Sequence, residues 1–132
     1  MKWDKFIPET EITDKITEET NKFAKEFGSY LCEKENNRVT LSTNQLRKFF
    51  GEVKRQQMHG YDPTNFILLK PKLAYAVGRA KGNDPKIRDF YKVICDAIDK
   101  VNNEKQFKNF IQIFEAIVAY HKASENGANI DY

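Results

Sequence analysis

Histidine, cysteine and tryptophan are scarce in this chain, with two, two and one among 132 residues. His59 and His121 stand far apart, and neither has a Cys, Asp or Glu neighbour at a metal-ligand spacing, so no zinc motif is readable. Cys32 and Cys95 are isolated and in no C-x-x-C arrangement. Each adjoins apolar periodic positions, so two buried free thiols in a reducing compartment are expected, with a disulfide the alternative for a secreted chain. No apolar run is long enough to span a bilayer, and nothing near Met1 has the make-up of a secretory h-region. The expected location is the cytoplasm, with no membrane partner. A glycine-rich phosphate loop is also missing, since the stretch from Gly78 to Gly82 is too loose to be one.

What the chain does have is the make-up of a folded domain: 40% hydrophobic residues, 31% charged, and ten phenylalanines to anchor helix contacts. Its length suits a single domain with one helical core and no need of disulfides or metals. The net charge of +3 hides an uneven distribution. Residues 1–35 carry six Lys/Arg against nine Asp/Glu, and residues 93–132 carry four against six. Between them, residues 36–92 carry twelve against four, an excess of +8. Concentrated charge of this kind is what a polyanion-binding face looks like in sequence.

The apolar periodicity gives an all-α bundle of about five helices joined by short connections. Residues 1–11, with Trp3, Phe6, Ile7 and Pro8, lack helical spacing and read as an irregular arm. The first helix is expected over 13–32, with Ile12, Ile16, Phe23, Phe27, Tyr30 and Leu31 inward and an acidic outer side at Glu18, Glu19 and Glu26. Residues 33–41 read as a polar loop, because Val39 and Leu41 have no second strand candidate to pair with. Ser42 and Gln45 form a capping box that starts the second helix, about 43–58. The third, about 64–80, contains Pro71, which demands a kink at Lys70 or a restart with Pro71 as its first residue. Asp84-Pro85 is an N-cap followed by a proline at the first helical position. The fourth helix, about 85–101, buries Ile87, Phe90, Ile94, Ile98 and Val101. The fifth, about 104–123, buries Phe107, Phe110, Ile111, Phe114, Ile117 and Val118, and residues 124–132 form a polar tail.

The distinctive chemistry lies between Ser42 and Arg79. On the second helix, Leu46, Phe49, Phe50 and Val53 make a core-facing stripe. Arg47, Lys48, Lys54 and Arg55 fall opposite, spread over about 120°. Gly51 sits within that basic arc, where glycine costs about 1 kcal/mol relative to alanine, a sign that something approaches the backbone there. On the third helix Lys72, Tyr75 and Arg79 share a face away from Leu69, Leu73, Ala76 and Val77. Tyr75 suits stacking on a base or ribose, and equally a partly buried position in the core. Any amphipathic helix has a charged side that is merely solvated; the central charge excess is what favours a partner.

Catalysis finds little support. Asp96 and Asp99 are one helical turn apart, a spacing that a magnesium ion accepts but that a solvated face also explains. The helical ribonucleases called HEPN domains use an Arg, four to six residues, and a His. Here three residues separate Arg55 from His59, and no Arg precedes His121 at a suitable distance. No general base can be paired with a group to stabilise a pentavalent phosphate. No cofactor, metal or catalytic residue is expected, and a small all-α ribonuclease is the alternative reading.

Three segments together resemble a known family: residues 43–55 (TNQLRKFFGEVKR), 69–79 (LKPKLAYAVGR) and 114–122 (FEAIVAYHK). They resemble the small subunit of type III-A CRISPR effector complexes, the Csm small subunit, over about residues 42–122. The resemblance implies a non-catalytic helical subunit present in several copies. It would lie beside other Csm subunits and along the guide (crRNA) paired with its target RNA. It also implies contact with phosphate and ribose rather than base edges, since a guide complex must accept any sequence. The positions matching that role are Arg47, Lys48, Lys54, Arg55, Lys70, Lys72, Tyr75 and Arg79. The acidic first helix and the last helix are left for protein neighbours.

Overall fold

The computed structural model describes residues 15–35, 38–39, 41–79 and 85–127. The described chain runs α1 (Glu18–Leu31), β1 (Lys34–Glu35), β2 (Arg38–Val39), α2 (Thr43–His59), α3 (Pro63–Ile67), α4 (Leu69–Arg79), α5 (Pro85–Lys100) and α6 (Glu104–Glu125). The expected all-α bundle is what forms. The arm expected over 1–11 and the cap expected at Asp84 lie outside the described residues.

Local chemistry explains the helix starts. Ser42 Oγ accepts the Gln45 N–H at 3.2 Å, and Gln45 Oε1 accepts the Ser42 N–H at 2.7 Å. The capping box therefore satisfies two backbone donors at the head of α2. Thr17 and Thr20 do the same for α1, which moves its start to Glu18 from the expected 13 and leaves Ile16 41% exposed rather than inward. Asp62 Oδ1 accepts the Thr64 N–H at 2.9 Å to open α3. Asn103 Oδ1 accepts the Gln106 N–H at 2.9 Å to open α6. That last helix continues through Ser124 and Glu125, beyond the end that its periodicity suggests.

The third expected helix is divided at Leu68. The ring of Pro71 would collide with the carbonyl four residues earlier in an unbroken helix. Ending α3 at Ile67 and restarting at Leu69 places Pro71 in the first turn of α4, where its missing N–H is not needed. The break thus falls earlier than either position read from the sequence. The expected loop at 33–41 instead contains a two-residue antiparallel pairing, Lys34 with Val39 and Glu35 with Arg38. Its first strand, Lys-Glu, carries no apolar alternation, and backbone pairing requires none.

The core forms where α1 and α2 pack on α6 and α4 packs on α5. Phe114 of α6 is its centre, with ring centroids 5.6 Å from Phe49, 5.2 Å from Phe50, 5.6 Å from Phe90 and 6.1 Å from Phe110. A second aromatic group holds α3, where Phe66 lies 5.2 Å from both Phe107 and Phe110. Every apolar residue expected inward on α5 and α6 is buried. On α4, Leu69 and Leu73 are buried, whereas Val77 is half-buried and Ala76 exposed.

Gly28 is what lets α1 reach α6. A β-carbon there would lie 2.8 Å from the Ile117 carbonyl oxygen and 3.0 Å from the His121 nitrogen and Tyr120 Cβ. Gly51 has nothing within 4 Å of that position. Within the chain, the close backbone approach is therefore at Gly28 of α1, whereas the space over Gly51 on the basic arc of α2 is open. Gly28→Ala is expected to destabilise the fold by about 1–3 kcal/mol through overpacking. Gly51→Ala is expected to stabilise it by up to about 1 kcal/mol. Urea unfolding of the two variants beside the parent chain checks both signs.

Candidate nucleic-acid interface

The basic arc of α2 divides into two flanks. At about 100° per residue, Lys48 and Arg55 turn toward α4 together with Glu52, while Arg47 and Lys54 lie on the far side. Lys54 there sits with its ammonium 5.8 Å from the Phe50 ring centroid. The same arithmetic on α4 puts Lys72, Tyr75 and Arg79 on the flank facing α2, and Lys70 on the other. Lys70 is ion-paired with Asp99 of α5. The hydrogen bond to that carboxylate, ahead of every other influence, holds the Lys70 ammonium above its ordinary pKa. Of the eight residues expected in the site, the fold brings Lys48, Arg55, Lys72, Tyr75 and Arg79 together.

Two of them, Arg55 and Lys72, meet at Glu52, which sequence reasoning overlooked. Its carboxylate accepts from Arg55 at 3.1 Å and from Lys72 at 3.2 Å, tying the basic flanks of two helices together. The Arg55 pair is visible as an i, i+3 spacing. The Lys72 pair, twenty residues away, is not. These exposed pairs contribute little to stability; their effect is to orient the cations. Beside them opens a groove of about 720 Å³. Lys48, Gln45, Lys72, Tyr75 and Arg79 stand at its rim, and Leu46, Phe49, Leu73, Ile87 and Phe90 line it below. Tyr75 is 69% exposed, so it is not a core residue. The Arg79 guanidinium carbon lies 5.7 Å from the centroid of its ring.

Lys86, another cation of the central segment, serves the fold instead. Lys86 is 1% exposed, with its ammonium 3.6 Å from the Tyr30 ring centroid and 3.2 Å from Glu33 Oε1. Tyr30 in turn donates to Asp89. This cluster fastens α5 to α1, and Lys86 is withdrawn from any external anion. Lys70 is engaged by Asp99, as described. Asp96 pairs with Lys100 at 3.0 Å, so both carboxylates of the Asp96–Asp99 pair hold lysines. Among the described residues no group of three or more His, Cys, Asp and Glu is placed to hold a metal ion.

His121 is fully buried. Its Nε2–H donates to the Leu41 carbonyl at 2.7 Å, and Nδ1 lies 3.3 Å from Thr43 Oγ1. Glu125 Oε1 accepts from that hydroxyl at 3.0 Å. The histidine is thus a tie between α6 and the head of α2, out of reach of a phosphodiester. Both cysteines are free, Cys32 buried and Cys95 half-buried, and burial raises the pKa of each thiol.

Fold and groove define a class: a helical protein with a basic, aromatic-bearing recess between two helices. A family model described as Csm2 Type III-A matches residues 14–127. The chain belongs to that family, the small subunit of type III-A CRISPR effector complexes. Searches of curated proteins and of solved structures gave no significant match. No helix among the described residues is long and apolar enough to cross a membrane.

Burial holds the His121 pKa below its ordinary 6.5, against the opposing hydrogen bond to Leu41 and the charge of Glu125. The unfolded chain therefore takes up a proton at a pH where the folded chain does not. The contribution of His121 to stability is full above pH 6.5 and is lost as pH falls from there through the depressed value. The melting temperature is expected to drop over that range in the parent chain. In His121→Asn that component of the slope should vanish, which thermal scans of both across about pH 7.5 to 5.5 would read.

Proposed function

We propose that the chain is a non-catalytic structural subunit that holds RNA by its sugar–phosphate backbone within a type III-A effector complex. The strand it meets there is the guide or the target paired with it. The observation that carries this reading is the convergence of Lys48, Lys72 and Arg79, from two helices, on one rim, with Arg55 joined to Lys72 through Glu52. Cations aimed at phosphates give affinity without regard to sequence. A complex whose specificity comes from base pairing requires that of its protein parts. The far flank, Arg47 and Lys54, extends the same field around α2 and reaches a more distant phosphate. Copies of the chain and the other Csm subunits are the protein partners in this reading, and the cytoplasm is where the complex works. The burial of His121 disfavours the alternative of a small ribonuclease, because it removes one of only two histidines from any substrate.

Effector complexes reconstituted with Arg55→Glu, Lys72→Glu or Arg79→Glu test the reading. Each variant is expected to weaken target-RNA association by a similar factor for unrelated guide sequences. Neutral replacements at the same positions should flatten the dependence of log K on log salt by about 0.7–0.9 for each phosphate that is no longer neutralised. A weakening confined to one guide sequence would contradict backbone binding.

A further inference from the structure

We propose that the groove between α2 and α4 receives an unpaired nucleobase of an RNA strand, whose phosphates lie on the cationic rim. This rests on the RNA-binding reading above and adds to it. Backbone tracking needs cations alone and no cavity. Here a recess of about 720 Å³ opens among the cations. It falls within the range of about 300–1,000 Å³ usual for small-ligand sites. Its lower wall is apolar, from Leu46, Phe49, Leu73 and Phe90, which suits an uncharged planar ring and not a phosphate.

The aromatic group needed for stacking stands at the mouth. Tyr75 is 69% exposed, and Arg79 is held beside its ring by a cation–π contact of 5.7 Å. Stacking on such a platform accepts any base, because every base has a π-face. Bases inside a duplex are stacked on their neighbours and offer no free face, so the occupant is an unpaired nucleotide. Charge complementarity identifies the rest of it. Lys48, Lys72 and Arg79 stand at the edge where the flanking phosphates would leave the groove. Gln45 and Glu52 add hydrogen-bonding atoms beside them. An acidic peptide would use the cations but leave the aromatic platform and the apolar wall without a role.

The test is an NMR titration of the purified chain with three probes: a short oligouridylate, an abasic ribose-phosphate oligomer of equal length, and an oligoglutamate peptide. The oligouridylate is expected to shift the ring resonances of Phe49, Tyr75 and Phe90. It should bind about five- to a hundredfold more tightly than the abasic oligomer. Tyr75→Ala, a change at an exposed position, should bring the ratio of the two affinities close to one. Equal affinity of the two oligomers, with shifts confined to the rim, would overturn the base site and leave backbone binding standing. Oligoglutamate moving the same rings as strongly would assign the groove to a protein partner. Binding of neither oligomer would overturn the base site as a property of the chain, and the effector-complex measurement above then decides the backbone reading.

Discussion

The packing of Phe114 is the interaction on which the rest of the structure depends. One ring on α6 meets Phe49 and Phe50 of α2 and Phe90 of α5. It therefore sets the spacing of three helices at once. Truncating a buried phenylalanine typically costs about 3–5 kcal/mol, a large part of a domain's usual stability of about 5–15. Phe49 and Phe90 also line the groove, with centroids 5.9 Å apart in an edge-to-face arrangement. The recess is thus the outer side of the core, and its shape is as rigid as the packing beneath it.

The electrostatics are layered on that frame. A surplus of +8 over residues 36–92 suggests a broad basic surface. The fold breaks it into parts with different work. Lys86 is buried against Tyr30 and Glu33, and Lys70 is engaged by Asp99. Arg47 and Lys54 face one way, Lys48 and Arg55 the other. Glu52 then holds Arg55 and Lys72 in a shared arrangement across two helices. An acidic residue in a basic site weakens its net field but supplies a definite geometry. In the RNA-binding reading proposed above, that trade suits a surface presenting cations at a fixed spacing to a regular polymer.

Much of the fold was legible because its signals are local. The capping box at Ser42, the proline at the start of α5 and the 3.6-residue stripes of α5 and α6 involve residues within a few positions of one another. Glycine shows the limit of a local signal. Both Gly28 and Gly51 interrupt helices at similar intrinsic cost, yet only Gly28 faces another backbone, at 2.8 Å. The difference lies wholly in what α6 brings up against it. The Lys34–Val39 pairing was equally hidden, since two residues per strand are too few to show alternation.

The chain's residues by themselves determined where most of the helices begin and end, which faces are apolar, and that basic residues recur on α2 and α4 together with a tyrosine. They also carried the family resemblance, since the matching segments are contiguous runs. Only the tertiary structure decided which cations share a surface, that Lys86 is consumed by the core, and that a groove opens between the cations at the rim. The physical reason is one of range. Helix start, periodicity and turn chemistry act over a few residues, whereas Glu52 meets Lys72, Lys70 meets Asp99 and Lys86 meets Glu33 across twenty, twenty-nine and fifty-three. No spacing rule reaches that far; the packing of the phenylalanine core does.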